Sequence, residues 1–574
     1  MTACTMTTSG DINDTSKFDG GVAPTSGADT LTINAGVNCT VPVGLSIAVG
    51  AITMTAGTSP RTTLTINGTL DLAGNVTMNT GCNLTMGAGA TLDLNGNSIT
   101  NAGTSAYTFT GTALSRTTII STGSRGSFAD PGGNGTVPTI AYCDFSGLDN
   151  VFLGRCHGAT VPFALISYST FADCGHINFD STNVSANSGF LISHCDFRDP
   201  YTVAAGKYYP VVYNTAVTTT RDRKFEYCTW DSGGLAGRIW VRAENATIDK
   251  CVMQGFGITA TPSLIVSNTL HNSTIGVSNG SFLSDTPSVT VRDSYIYYPD
   301  GNHPITSMSV SAIFEDCIFD GIGGGVGTNW FLYAVTSSAI TVRRNVFLGK
   351  GNPLCYTGSG NPTIDFANNT ILIDNAGDGD GGVAFATMML TEQVSTLSGA
   401  NTREFYNNLL IDPDSSTAQD AAIDLLNNTA DQVTYLDYNA GWTYPAGATG
   451  PPVKYTAKVV VTAGKGVNDF AIDPNFVDRT RSIVTWDAEL GGNGTFANAI
   501  AELLKLNASD YDVNYDVAAL VAWTKAGYVP QAAALVGSGR SGADIGAMTP
   551  VPLAASGGAS TVASTVGSTV GGIS

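Results

Sequence analysis

"FEYCTWDSGG", residues 225–234, sets a cysteine two positions before a large side chain, and the phrase returns along the chain. "AYCDFSG" holds Cys143, "ISHCDFR" Cys195, "IDKCVMQG" Cys251 and "FEDCIFDG" Cys317. Marking the residue two before each large apolar side chain extends the frame to Cys143, Ser169, Cys195, Cys228, Cys251, Ser273, Ser294, Cys317, Asn345, Asn369 and Asn408. Successive marks lie 26, 26, 33, 23, 22, 21, 23, 28, 24 and 39 residues apart. A period in the low twenties, lengthened by occasional loops, is the pattern of a solenoid, in which each unit buries its apolar face against the next.

Only Cys, Ser and Asn occupy the frame, and two positions on stand Phe145, Phe171, Phe197, Trp230, Met253, Ile275, Ile296, Phe319, Phe347, Ile371 and Leu410. Small and large residues at period two suit stacked parallel strands, with equivalent residues repeating about every 4.8 Å along the axis. Asn amides can bond from coil to coil, and Cys is a small, readily buried hydrophobe. These positions are therefore read as a structural ladder rather than a reactive set. Upstream, "TLDL" begins at Thr69 and again at Thr91, a 22-residue coil of three short strands with Gly and Asn corners.

The expected fold is all-β: a right-handed parallel β-helix, or β-solenoid, with a small helical C-terminal cap. Residues 1–28 are expected as an arm, 29–115 as a tight solenoid and 116–440 as the main β-helix with inserted loops. Residues 441–549 are the expected cap, because "FANAIAELLKLNASDYDVNYDVAALVAWTKAGYVP" (496–530) carries apolar residues at helical spacing and a solenoid end needs covering. A low-complexity tail, 550–574, completes the chain.

Composition narrows function. With 26 Lys and Arg against 46 Asp and Glu the formal charge is −20, so no nucleic-acid partner is expected. The opening "MTACTMTTSGDINDTSKFDGG" lacks a basic segment followed by an apolar one, and there is no apolar run of the roughly 20 residues that span a bilayer. Neither a secretory signal nor membrane insertion is expected. Eleven cysteines without a CxxC pair, and five histidines without paired zinc spacing, argue for thiols over disulfides or a metal centre.

Candidate binding residues are the loop aromatics Tyr208, Tyr209, Tyr295, Tyr297 and Tyr298, since loops on one side of a solenoid commonly form its contact face. Asp374, Asp378 and Asp380 in "DNAGDGDGG" resemble a cation loop but lack the closing Glu, so no metal is expected. "TTTRDRKFE" (218–226) gathers Arg221, Asp222, Arg223 and Lys224, and Asp144 and Asp196 are paired carboxylates that follow the ladder. Walker, GxSxG and HExxH motifs are absent, so no catalytic residue is assigned and no cofactor is expected.

"DPNFVDRTRSIVTWDAELGGNGT" (473–495), then a helical segment, "WTKAGYVP" and "SGADIGA" (541–547) resemble the C-terminal part of pectate-lyase-like right-handed β-helix proteins of tailed bacteriophages. "GGVAPTSGADTLTINAGVNCTV" similarly looks like the start of virion-associated solenoids. The resemblance implies a virion structural protein, an outer capsid decoration or fibre at the particle surface. It also implies partners among other virion proteins reached through the terminal arms, with homo-oligomerisation. The alternatives are a tail-associated receptor-binding or polysaccharide-degrading protein, with host glycan as partner, and a bacterial surface adhesin; glycan lyase or hydrolase activity is the minority reading.

Overall fold

The structure, a computed structural model, describes residues 2–552 apart from 103–104, 130–137, 153–163, 179–189, 202–207, 212–222, 234–239, 243–245, 256, 260–263, 273–282, 285–287, 299–304, 307–310, 323–329, 335–338, 350–351, 357–362, 374–387, 392–401, 416–421, 427–431, 446–453, 456–459 and 509. Each coil passes through three parallel sheets, B, C and A in turn, and each strand pairs with its counterpart one coil later. In sheet C, Thr117–Ile120 pairs with Cys143–Ser146, which precedes Thr170–Ala172 and Asp196–Arg198. Sheet B runs through eighteen strands, sheet C through seventeen and sheet A through fifteen, with a further three-stranded sheet late in the chain. Neither long run closes on itself, so the molecule is a parallel β-solenoid, an architecture compatible with the pectate-lyase-like β-helix.

The cysteine frame marks one corner of every coil from residue 142 on. The residue just before each frame position has a left-handed backbone: φ is 55° at Tyr142, 49° at Tyr168, 51° at His194 and at Tyr227, and 56° at Arg344. This single residue turns the chain from sheet B into sheet C, in a region costly for L side chains. Where the frame residue is Ser, Thr or Cys, its side chain offsets that cost by donating to the carbonyl two residues back. Ser169 Oγ bonds Ser167 O at 2.8 Å, Ser294 Oγ bonds Arg292 O at 2.8 Å, and Cys228 Sγ meets Glu226 O at 3.4 Å. Further along, Asn replaces them and bonds both ways: the Cys317 N–H donates to Asn345 Oδ1 at 2.9 Å, and the Asn345 and Asn369 N–H groups donate to Asn369 and Asn408 Oδ1 at 3.0 and 3.1 Å. Asn439 continues the series, its Oδ1 taking the Asn408 N–H at 3.1 Å. The frame therefore admits only small residues that can donate, which is why Cys, Ser, Thr and Asn share it.

Inside, the large residues stack. Phe145 and Phe171 lie 4.7 Å apart and nearly parallel, Phe171 and Phe197 5.1 Å, Phe197 and Trp230 5.4 Å, and Phe319 and Phe347 4.8 Å. That spacing is the rung repeat itself, so in-register pairing brings rings into offset contact at no further conformational cost.

Four expectations change. Residues 1–28 are not an arm throughout: Ala3–Met6 pairs with Thr30–Ile33 and Gly10–Asp11 with Cys39 and Thr40, while Met6, Ile12 and Phe18 are buried. Alternation of apolar Cys4 and Met6 with exposed neighbours makes this the first coil. The ladder residue of its coil is Thr269, not Ser273, because Asn268 holds the left-handed corner, Thr269 Oγ1 bonds Ser267 O at 3.3 Å, and His271 pairs with Ile296; Ser273 and Ile275 lie outside the described residues. Strands continue past 440 to Phe470–Ala471. The residues after them do not cover an open end.

Instead, residues 473–552 form a strap laid lengthwise on the outer face of sheet C. Three helices, α1 (Ile483–Glu489), α2 (Phe496–Leu503) and α3 (Val517–Gly527), build it, opened by Ser482, Thr495 and Asp516 as N-caps. The buried Asp487 ties it together by accepting from the Gly494 N–H, Asn498 Nδ2 and the Tyr515 hydroxyl. Near the solenoid's late end, the Tyr444 hydroxyl bonds Asp473 and Arg479 lies 4.3 Å over the Tyr444 ring. Midway, Phe496 stacks on Tyr297 at 4.1 Å and Lys525 reaches Asp316 at 3.2 Å. Farthest back, Asn507 Nδ2 donates to Cys195 O at 2.6 Å and to Thr229 Oγ1 at 3.2 Å. The chain then returns, and Gly546 N–H bonds Asn407 O at 2.8 Å.

Sheet C is built for this cover. The position after the frame faces outward and is polar in the early coils, as Asp144, Thr170, Asp196 and Thr229, then apolar, as Val252, Leu270, Tyr295, Ile318 and Val346. The second set is buried in one cluster with Ile483, Trp486, Leu503, Leu520 and Val521 of the strap. Strands apolar on both faces are covered on both faces.

One carboxyl sits in the seam. Asp320 is fully buried, accepts from the Tyr295 hydroxyl and takes the Ile322 N–H at 2.8 Å, while the Ile483 N–H donates to the Tyr295 oxygen at 3.1 Å. Burial pushes the Asp320 carboxyl up to about 6, against the bonds from Tyr295 and Ile322 that favour its charged form. The folded state thus holds a proton that the unfolded chain releases near pH 4, so stability is full below about pH 4 and falls as pH rises to about 6. Denaturation of the native protein should show a loss of up to about 3 kcal/mol across that window, and Asp320→Asn should flatten the dependence. A chain ending at 472 should bind a hydrophobic dye along the bared face of sheet C while keeping sheet A and B amide protection; loss of all three sheets together would contradict a lateral strap.

Candidate functional site

The strap's far end and the change in sheet C coincide, and a groove opens there. Its floor is the corner where the frame-minus-one residues are aromatic. Tyr142 and Tyr168 rings stack at 4.8 Å and 5°, Tyr168 and His194 at 4.6 Å, and His194 and Tyr227 at 4.9 Å. Lys250 closes the column by bonding the Tyr227 hydroxyl at 2.8 Å. The column forms because four successive left-handed corners carry rings at one rung spacing, each packing on the last. Burial holds His194 below the ordinary imidazole range, with the Glu226 charge opposing.

Beside the column, the outward side chains of sheet C supply paired charges. Arg116 Nε bonds both Asp144 oxygens at 2.9 Å, and its Nη2 reaches Cys143 O at 3.2 Å and Thr170 Oγ1 at 3.4 Å. Arg198 bonds Asp196 at 2.6 Å, and the Thr229 hydroxyl donates to the same carboxylate at 2.9 Å. Burial raises the Asp196 carboxyl, and the Arg198 charge and the Thr229 bond oppose it. The other wall is the strap: Ala501, Leu504, Asn507, Ala508 and Lys505, the last bonded to Glu502 at 2.9 Å. The groove encloses about 640 Å³.

Two carboxylates line this part of sheet C, and both are already paired. Asp144 and Asp196 stand on alternate strands with Thr170 between, so their backbones are about 9.6 Å apart, wider than a retaining glycosidase pair and close to the spacing of an inverting one. Each is also occupied by an arginine. Uncharged donors, acceptors and small apolar contacts dominate what is left, and they suit binding.

The residues singled out in sequence fall elsewhere. Tyr295, Tyr297 and Tyr298 are no contact surface: relative exposures of 0, 9 and 5% place them in the core, the first two under the strap. Their aromatic run is a doubly covered strand, Tyr295–Tyr297, rather than a loop. Tyr208 and Tyr209 belong to the strand Tyr208–Val211, with side chains outside the described residues. Asp374, Asp378, Asp380, Arg221 and Asp222 also lie outside them. Lys224 pairs with Glu226 of its own strand at 2.6 Å and with Asp249 of the adjacent sheet B strand at 2.9 Å. Among the described residues no cluster of three or more His, Cys, Asp or Glu could hold a metal, and no helix is long and apolar enough to cross a membrane. The groove's aromatic column was in plain view as the Tyr, Tyr, His, Tyr that immediately precede Cys143, Ser169, Cys195 and Cys228.

Comparison with family models, curated proteins and solved structures returns no match.

The nine cysteines whose side chains are described are free and buried. Burial pushes the Cys143 and Cys317 thiols up to about 12, leaving almost no thiolate at neutral pH. Folded protein should therefore resist thiol reagents at Cys143, Cys195, Cys228, Cys251 and Cys317 until it unfolds; fast modification of any of the five, read by peptide mass, would contradict the ladder.

Proposed function

We propose that the chain is a rigid structural component of a tailed-bacteriophage particle, standing on its exterior as a capsid decoration or fibre. The observation that carries this reading is the unbroken run of seventeen to eighteen strands in sheets B and C. At one strand per rung this makes a rod roughly 80 Å long. Backbone groups bonded between rungs, stacked rings inside and a strap along one flank resist bending and proteolysis. Likeness of residues 473–547 to phage β-helix proteins supplies the particle setting.

Docking to other virion proteins, and to sister copies, falls to the tail at 553–574, which lies outside the described residues, because the first residues are already built into the initial coil. Gold-labelled antibody against the chain should decorate capsids in electron micrographs of the source particles. Label at the tail tip would move the reading to receptor binding, and label on uninfected cells alone would end it.

A further inference from the structure

The two ends of the solenoid differ. At the early end the chain closes itself: Met6 bridges Phe18, the Thr7 N–H donates to Lys17 O at 2.9 Å, and Ile12 and Phe18 are buried. At the late end the final coil is incomplete. Among the described residues, Val460–Lys465 of sheet B pairs only with Gln432–Asp437, and Phe470–Ala471 of sheet C only with Ala440–Pro445. The third side of the coil stops one rung sooner. There Met388–Thr391 lies beside the last sheet A strand, Asn352–Tyr356, and Ala422–Leu426 and Lys454–Tyr455 follow it. After Phe470–Ala471 the chain leaves for the strap instead of laying a strand beyond Lys454–Tyr455. That edge is therefore open among the described residues, and Val467 in the last corner is 78% exposed. An open edge is a template for one more strand.

The strap brings the chain back to this place. The Val551 N–H donates to Pro530 O at 2.8 Å, Pro530 bridges Phe476, and Asp473 accepts from the hydroxyl of Tyr444 on Ala440–Pro445. Residue 552 thus stands where the chain earlier left sheet C, on the side from which each coil runs on to its third strand. The segment 553–574, outside the described residues, contains no charged side chain, so it lacks the groups that keep exposed strands apart. Within it "STVASTV" (560–566) lies between Gly558 and Gly567. Thr561, Ala563 and Thr565 alternate there with Val562, Ser564 and Val566, and Thr and Val favour strands. The early strand Thr30–Ile33, "TLTI", has the same order, with Leu31 and Ile33 inside. Residues 553–559 span up to about 23 Å, ample for a step of one rung.

We propose that residues 560–566 pair in parallel with Lys454–Tyr455 of the same chain and complete the last coil, closing the late end as residues 7–21 close the early one. The short link holds the segment beside its own edge at high effective concentration, ahead of any sister copy. The inference goes beyond the mounting of the rod and leaves 567–574 for docking.

The test compares amide exchange in the full chain with that in a chain ending at 552. Truncation should speed exchange at residues 454 and 455 by about tenfold or more, while Thr30–Ile33 keeps its protection. In the full chain, Thr565→Pro combined with Val566→Pro should reproduce that loss. Neighbouring N–H groups of a strand point to opposite sides, so one of the two must face the edge. Ser568→Pro combined with Thr569→Pro should leave protection intact. Protection at 454 and 455 that survives truncation or the 565–566 prolines overturns the proposal. So does protection that disappears on about hundredfold dilution, which would place the strand on a sister copy.

Discussion

From residue 142 on, the molecule depends on one recurring corner. A single residue in the left-handed region turns the chain from sheet B to sheet C, and the small residue after it donates to a carbonyl, two positions back for Ser and Cys and one coil earlier for Asn345, Asn369 and Asn408. Where that pair recurs, strands fall into register, and register alone then aligns every side chain of the coil with its counterparts above and below. The aromatic core stack, the Asn series and the surface column of Tyr142, Tyr168, His194 and Tyr227 are three readouts of the same alignment, one inside, one in the wall and one outside.

The strap adds a second layer of order to a shape that otherwise contacts only its neighbours. Nearest-neighbour stacking makes each rung depend mainly on adjacent rungs. A lateral element that bonds Thr229 at one end and Asn407 on its return path joins distant rungs, so the late two-thirds of the solenoid gain contacts that stacking cannot provide. The buried Asp320 and Tyr295 lie in that joint, which gives the joint a proton dependence.

The groove follows from where the strap stops. Sheet C remains polar on its outside for the early coils, and the strap ends against the last of these, so a polar wall and a helical wall face each other across the aromatic corner. A longer strap would have filled the groove, and a shorter one would have left a flat surface.

Much of the fold was legible in the residues. Period-two alternation and the Cys, Ser, Asn frame specify parallel rungs because both are local demands, made by the pleat and by the corner carbonyl. The switch from Asp144, Thr170, Asp196 and Thr229 to Val252, Leu270, Tyr295 and Ile318 at one outward position even announces that something covers sheet C. What covers it could not be read, because helical periodicity in 496–530 states that a face is apolar and says nothing of which surface receives it. The tertiary structure alone decided that the helices lie along the flank rather than across the end. It thereby buried Tyr295, Tyr297 and Tyr298 and assembled a groove from residues more than 300 positions apart, such as Asp196 and Asn507. Local geometry repeats and can be counted along a chain; the meeting of two distant apolar faces is set by shape and burial, which appear only once the solenoid exists.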